Sequence, residues 1–190
     1  MQNFDFCSPT ELVFGRGVET EIGTRLARRF PGGKVFLVYG GGSIKRTGLY
    51  DRVKQSLLDA GLSVREKGGV HPNPEVGFIR ELIAEAREWR PDVLLAVGGG
   101  SVIDTVKAAS MGIPYDGDVW DFFIGRAVCE KATPISVILT IPAAGSELSM
   151  RVVVTNGEKK LGTASQHIRS FMSLIDPELF FTLPAVQAAS

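Results

Sequence analysis

Continuous apolar runs alternate with amphipathic segments along the first two thirds of the chain. An unbroken apolar run predicts a buried strand, whereas apolar residues spaced three or four positions apart predict a helix. Segment 21–30 shows the second pattern through Ile22, Leu26 and Phe30, and it ends at the helix-breaking Pro31. The predicted strands are 35–39, 62–66 and 93–97, and the predicted helices are 21–30, 50–60, 78–89 and 101–110. This alternation predicts a doubly wound, mostly parallel, Rossmann-like α/β sheet with right-handed crossovers.

The two ends of the chain follow a different pattern. Segments 4–6 and 11–14 alternate apolar and polar residues, which predicts a short N-terminal edge hairpin. After Pro114 the pattern predicts a strand over 135–141, a strand over 150–155 that returns over 160–164, and a last strand over 171–175. Asn156-Gly157 is a hairpin turn signal, so the middle pair is predicted to be an antiparallel β-hairpin extension. Residues 1–190 are therefore expected to form one domain.

Two copies of Gly-Gly-Gly-Ser, at 40–43 and 98–101, each follow an apolar strand and precede a helix. Glycines at such a position let the backbone approach a ligand closely and present N–H groups to it, and the following helix adds its positive end. A simpler interpretation is helix capping by Ser43 and Ser101, with Asp104 completing a capping box. Two copies of three glycines exceed what caps need, so we expect an extended, multiply charged ligand such as a dinucleotide.

Charges behind the first tetrad indicate which dinucleotide. Lys45 and Arg46 fall in the first helical turn, where positive charge opposes the helix dipole unless an anion is bound. NAD sites commonly place a carboxylate near the strand end, whereas a ribose 2′-phosphate favours a cation there and no carboxylate. The strand end 39–43 has no acidic residue. We therefore expect the cofactor to be NADP(H).

Composition excludes several other classes of function. Lys+Arg and Asp+Glu both number 21, so net charge does not favour nucleic acid or an anionic membrane as partner. Cys7 and Cys129 are far apart and form no CxxC motif, and two isolated histidines do not form a metal site. The turn 142–147 lacks Gly-x-Ser-x-Gly, which argues against serine hydrolysis. No membrane span or signal peptide is predicted, and a reducing cytoplasm is the expected location.

The motifs in this order resemble the iron-containing (group III) alcohol dehydrogenases, and most of all their NADPH-dependent butanol dehydrogenase and aldehyde reductase branch. They comprise Phe14-Gly15-x-Gly17, the two tetrads, Pro72-Asn73-Pro74, Thr140-x-Pro142-Ala143-x-Gly145-Ser146-Glu147, Asp176-Pro177-Glu178 and Leu183-Pro184. The resemblance implies an N-terminal dinucleotide-binding domain followed by a helical metal-binding domain. The family's aspartate and three histidine ligands to iron or zinc are missing from this sequence, so no metal ligand is assigned, and the second domain is expected to be absent after Ser190.

The resemblance also implies roles for individual residues. The second tetrad would hold the pyrophosphate, the first would face the adenosine ribose and its 2′-phosphate, and Asp104 would lie near the nicotinamide as the candidate catalytic residue. The candidate cofactor-binding residues are Gly41, Gly42, Ser43, Lys45, Asn73, Gly98, Gly99, Gly100, Ser101, Asp104, Thr140, Ile141, Ala144, Ser146, Lys160 and Leu183.

The function expected on these grounds is that of an oxidoreductase domain for the metal-dependent interconversion of aldehydes and primary alcohols. The chain alone is expected to be inactive because it lacks metal ligands, and to form a homodimer through its N-terminal edge strands. Two alternatives stay open: a nucleotide-binding or assembly module without catalysis, and an NAD-dependent relative of the glycerol or dehydroquinate type.

Overall fold

A six-stranded parallel sheet forms the centre of the computed structural model, which describes residues 8–182. The predicted strand 4–6, Leu183 and the segment after Pro184 lie outside the described residues. The sheet has the order β1-β8-β5-β4-β2-β3, and a separate antiparallel pair joins β6 to β7. The strands are β1 (Glu11–Phe14), β2 (Lys34–Gly40), β3 (Ser63–Val70), β4 (Val93–Gly98), β5 (Ile135–Leu139), β6 (Arg151–Asn156), β7 (Lys159–Ala164) and β8 (Met172–Ile175).

Helices cover both faces of this sheet. They are α1 (Ile22–Arg29), α2 (Ser43–Arg46), α3 (Leu49–Asp59), α4 (Val76–Trp89) and α5 (Gly100–Gly112). Short 3-10 helices lie at Val18–Glu21, Val119–Phe122, Gln166–Ile168 and Pro177–Thr182. Within residues 8–182, no helix combines the length and the apolar character that crossing a bilayer requires.

Alternation along the strands divides the core into two layers. Phe36 and Leu94 pack into the layer of α4 and α5, whereas their neighbours Leu37 and Leu95 pack into the layer of α1 and α3. All six residues of β4 are buried because helices cover the strand on both sides. Such two-sided burial explains why the central strands are continuous apolar runs in the sequence.

The strand order reverses between β2 and β4. From β2 the chain moves outward to β3, and from β4 it moves in the opposite direction to β5 and then β8. The crossovers therefore diverge at the carboxyl ends of β2 and β4, which is the place where ligands bind in open α/β sheets. Both glycine tetrads lie there.

The predicted parallel α/β sheet and the antiparallel hairpin are confirmed. β1 forms one edge of the sheet and pairs in parallel with β8, from Glu11 opposite Met172 to Phe14 opposite Ile175. The hairpin turn is Gly157-Glu158, one residue later than the sequence predicts, because Asn156 still pairs with Lys159.

The opposite edge strand, β3, is longer than predicted and extends through Lys67, Gly68 and Gly69. The Tyr39 ring packs so closely on Gly68 that a Cβ at this position would lie 2.4 Å from Tyr39 Cε2. The hydrophobic pattern within one strand cannot reveal a contact with a residue on another strand.

The capping interpretation of the two serines is wrong. The N-cap positions belong to Gly42 and Gly99, while Ser43 and Ser101 lie inside α2 and α5 and provide no side-chain cap. Asp104 bonds elsewhere, as described below, so the predicted capping box does not form. The glycines thus occupy the turns themselves, where backbone approach matters most.

Candidate functional site

The two glycine turns lie side by side at the carboxyl edge of the sheet. β2 and β4 are hydrogen-bonded neighbours, with Tyr39 opposite Val97 at their ends. Gly42 has φ 108°, a left-handed conformation that favours glycine, and it turns the chain from β2 into α2. Gly99 turns the chain from β4 into α5. The adjacent strands therefore aim two helix starts at the same region.

The space around each glycine shows whether the fold requires glycine there or leaves the backbone open to a ligand. A Cβ on Gly98 would lie 2.5 Å from Val102 Cγ2, so the fold itself requires glycine there. A Cβ on Gly41 or Gly100 would meet no protein atom within 4 Å. At these two positions the main chain is open to a ligand, as a phosphate-cradling turn needs to be. This open cradle fits a dinucleotide.

A cleft of about 760 Å³ opens beside the first turn. Ile44, Leu49, Ile141 and Leu179 give it apolar walls, which suit an aromatic base. Among the predicted cofactor-binding residues, Ser43, Thr140 and Ile141 line this cleft. The backbone N–H of Thr140 donates to the Gly98 carbonyl at 3.1 Å, so the cleft is joined directly to the second glycine turn.

The two cations behind the first tetrad point in different directions. Arg46 lines the cleft. Lys45 Nζ instead lies over the rings of Tyr39 and Tyr50, 5.0 and 4.7 Å from their centroids. The hydrogen bond with Tyr39 raises the pKa of Lys45, which therefore stays cationic. Aromatic faces thus stabilise one of the charges that the sequence had assigned to a phosphate.

Asp104 joins α5 to the turn that follows β5. Its Oδ1 accepts from Ser146 Oγ at 2.7 Å, and its Oδ2 accepts from the Val153 backbone N–H at 3.1 Å. Burial raises the pKa of this carboxyl, while the bonds from Ser146 and Val153 oppose the rise. Asp104 and Ser146, both predicted to be site residues, are therefore in direct contact.

A second predicted pair lies near the hairpin. Lys160 Nζ on β7 donates to Asn73 Oδ1 at 3.0 Å. Asn73 has φ 59°, a left-handed conformation that asparagine tolerates, and it sits between two prolines. Ala144 is exposed in the turn.

The predicted residues therefore fall into two groups. One group surrounds the tetrads and the cleft, and the other joins α5, the 142–147 turn and the hairpin, with Asp104 and Ser146 at its centre. Leu183 lies outside the described residues, and its assignment stays a prediction.

Two residues beside the site have roles that the sequence did not suggest. Asp176 accepts from the Gly17 N–H through Oδ2 and from the Glu178 N–H through Oδ1, both at 2.8 Å, and it lines the cleft. Its position after a predicted strand was the available signal. Lys107, at 0% exposure, donates to the segment after Ser146. A lysine inside an apolar helix was the signal there.

In the described part of the chain, no three His, Cys, Asp or Glu side chains converge in a way that could hold a metal ion. The described residues therefore do not fit the metal that the resemblance implies. What the site offers is an open glycine cradle, a cleft of about 760 Å³ and fixed polar groups beside them.

Together the fold and this site define a Rossmann-like α/β domain with two glycine turns at its switch point. The family model "Iron-containing alcohol dehydrogenase" matches residues 9–177. The chain belongs to that family, whose members are oxidoreductases, and the resemblance inferred from its motifs is confirmed.

Curated relatives match this chain along about half of their own length. The probable NADH-dependent butanol dehydrogenase 2 of Bacillus subtilis is 44% identical over 98% of this chain and 48% of its own length. The NADH-dependent butanol dehydrogenase A of Clostridium acetobutylicum is 40% identical over 100% of this chain and 49% of its own length. The NADPH-dependent aldehyde reductase YqhD of Escherichia coli is 35% identical, again over 100% and 49%. The chain spans about half the length of these relatives.

A solved structure agrees closely with the fold. The crystal structure of NADH-dependent butanol dehydrogenase A from Thermotoga maritima superposes with a TM-score of 0.95 at 43% identity. The match covers 99% of this chain and 48% of the other. The described sheet and helices are therefore those of the N-terminal half of such an enzyme.

Proposed function

We propose that this chain is the NADP(H)-binding domain of an iron-type alcohol dehydrogenase that interconverts aldehydes and primary alcohols, as a butanol dehydrogenase does. The observation that carries the proposal is the pair of open glycine turns on adjacent parallel strands, at the point where the strand order reverses. Backbone N–H groups there suit a pyrophosphate, and the apolar cleft beside them suits the adenine base.

The site residues would act by binding and orienting the dinucleotide. Gly98, Gly99, Gly100 and Ser101 would hold the pyrophosphate, and Asp104 with Ser146 would lie towards the nicotinamide end. A nicotinamide cofactor supplies hydride transfer when it is bound. The 190 residues include only two histidines, which is too few for the aspartate-and-three-histidine set of the family, so we propose that the chain alone does not turn over an aldehyde.

The preference for NADP(H) is the part of the proposal that the relatives' names leave open, because two of those named above are called NADH-dependent and one NADPH-dependent. Support comes from the end of β2, where residues 39–43 contain no carboxylate and where Arg46 lines the cleft. A carboxylate at this strand end would repel a 2′-phosphate and favour a free ribose.

Gly41 provides a direct test of that preference. A Cβ at Gly41 meets no protein atom within 4 Å, so Gly41→Asp adds a carboxylate without crowding the fold. Titration of the native chain with NADPH and NADH should give the tighter dissociation constant for NADPH. Gly41→Asp should reverse that order, whereas the uncharged Gly41→Asn should weaken both cofactors similarly. Tighter binding of NADH by the native chain would refute the NADP(H) assignment.

We also propose a homodimer and a cytoplasmic location. β1 is an edge strand of the sheet, and its Leu12 and Phe14 are 50% and 66% exposed, so a second copy could pair with this edge. Light scattering coupled to size-exclusion chromatography should give twice the chain mass for the native protein and a lower mass for Phe14→Lys. The cysteine content, without a disulfide pattern, supports a reducing compartment.

A further inference from the structure

Lys107 is a buried cation in the middle of α5. Lys107 is 0% exposed, and its neighbours on the helix are mainly apolar and small. Burying an ammonium group is costly unless hydrogen bonds replace its water. Lys107 should therefore have a specific set of partners.

All of those partners lie in one short segment, residues 146–151. Lys107 Nζ donates to the carbonyl oxygens of Ser146, Ser149 and Arg151 at 2.6, 2.8 and 3.0 Å. It also lies 3.1 and 3.2 Å from the hydroxyl oxygens of Ser146 and Ser149. Five oxygens thus share one ammonium group. Lys107 therefore fixes the path of the chain between the 142–147 turn and β6.

The same ammonium group contacts the hydroxyl that joins this segment to Asp104. An ammonium group only donates, so Ser146 Oγ must accept from Lys107. Its own proton is then available to Asp104 Oδ1, which lies 2.7 Å away. Lys107 thereby fixes the position of the Ser146 hydroxyl, which donates to the Asp104 carboxylate.

We propose that Lys107 is a positioning residue for cofactor binding: it holds segment 146–151 in place and, through Ser146, fixes the orientation of the Asp104 carboxylate. This inference rests on the proposed function, because Asp104 and Ser146 are proposed cofactor contacts. Lys107 itself is fully buried and does not line the cleft.

The charges around Lys107 make this arrangement sensitive to alkaline pH. Burial lowers the pKa of Lys107 to about 8, and Arg169 adds to the effect, while Asp104 and Glu147 oppose it. Arg169 contacts the same segment, because its guanidinium donates to the Leu148 carbonyl at 2.5 Å. Loss of the Lys107 proton would remove one of the three N–H donors that hold segment 146–151, together with the positive charge that stabilises its contacts. Cofactor affinity should therefore fall as the pH rises above about 8.

The test compares NADPH affinity in the native chain with three variants. Lys107→Met keeps the side-chain length without the charge, and Ser146→Ala removes the hydroxyl that links Lys107 to Asp104 while leaving the backbone carbonyl bonds. Lys131→Met changes an exposed lysine and serves as the matched control. We expect Lys107→Met to weaken binding by about tenfold or more, Ser146→Ala by a few-fold, and Lys131→Met not at all.

Two further readouts separate positioning from general stabilisation. Hydrogen exchange should accelerate within 146–151 in Lys107→Met and stay unchanged in β4. The native affinity should drop between about pH 7 and about pH 9.5, whereas the Lys107→Met affinity should be flat over that range.

Each outcome decides a different point. Native-like NADPH affinity in folded Lys107→Met, or in Ser146→Ala if Lys107→Met fails to fold, would overturn the inference. A native chain that binds neither NADPH nor NADH would instead refute the proposed function.

Discussion

Replacing Gly100 by alanine should change stability and cofactor binding in opposite directions. Gly100 is the first residue of α5, its φ lies outside the left-handed region, and a Cβ there meets no protein atom within 4 Å. In the unfolded chain alanine has fewer backbone conformations than glycine, so it loses less conformational entropy on folding. We therefore expect Gly100→Ala to stabilise the free protein by about 0.5 kcal/mol, which raises its melting temperature by about 1–2 °C.

The same methyl group would stand between the backbone and a bound pyrophosphate. Forcing a carbon atom into a close contact typically costs about 1–3 kcal/mol, so NADPH should bind roughly 5- to 150-fold more weakly. Gly98→Ala is the matched comparison because its Cβ would come within 2.5 Å of Val102 Cγ2 and should destabilise the fold itself.

Thermal unfolding without nucleotide measures the first effect, and fluorescence titration with NADPH measures the second. Unchanged affinity in Gly100→Ala would show that the backbone at this turn does not approach the ligand. A marked loss of stability would show that the open space at Gly100 is absent in solution.

Three further predictions concern stability. Phe36→Ala should lower the unfolding free energy in urea by about 3–5 kcal/mol, because Phe36 is fully buried in a central strand; a loss below about 1 kcal/mol would contradict that packing. Asp176→Asn should cost about 1–3 kcal/mol in thermal unfolding, since the amide NH₂ that replaces one carboxylate oxygen cannot accept the N–H bond made to that oxygen; an unchanged midpoint would count against the bond geometry. Bonds from Arg80 lower the pKa of Asp118 below 3.8. Its stabilising contribution is therefore complete above that value and disappears as the pH falls through the lower, folded pKa. Asp118→Asn should be less stable than the native chain at neutral pH and equally stable in strong acid; a constant difference in acid titration would refute this ion pair.

The sequence predicted the central sheet well because strands buried on both faces are continuous apolar runs in the sequence. The apolar run 93–97 became β4 and the tetrads became the turns at its end and at the end of β2. The polar edge strand β3 was predicted too short, because it is stabilised by pairing with β2 and by the Tyr39 ring on Gly68. Those contacts join residues that are far apart in the sequence.

Side-chain directions were the least predictable part of the site. Lys45 and Arg46 are adjacent, yet one lies over two tyrosines and the other lines the cleft. Local charge counting treats the two as equivalent. Lys107 was missed for the same reason, since its acceptors begin 39 residues later at Ser146.

The proposed function requires a dinucleotide to bind across the two glycine turns. The most direct measurement is a titration of the isotope-labelled chain with NADPH, followed by amide chemical shifts in solution. We expect the largest shifts at Gly41, Gly42, Gly99 and Gly100. Saturable binding with shifts concentrated elsewhere, or no binding at all, would contradict it.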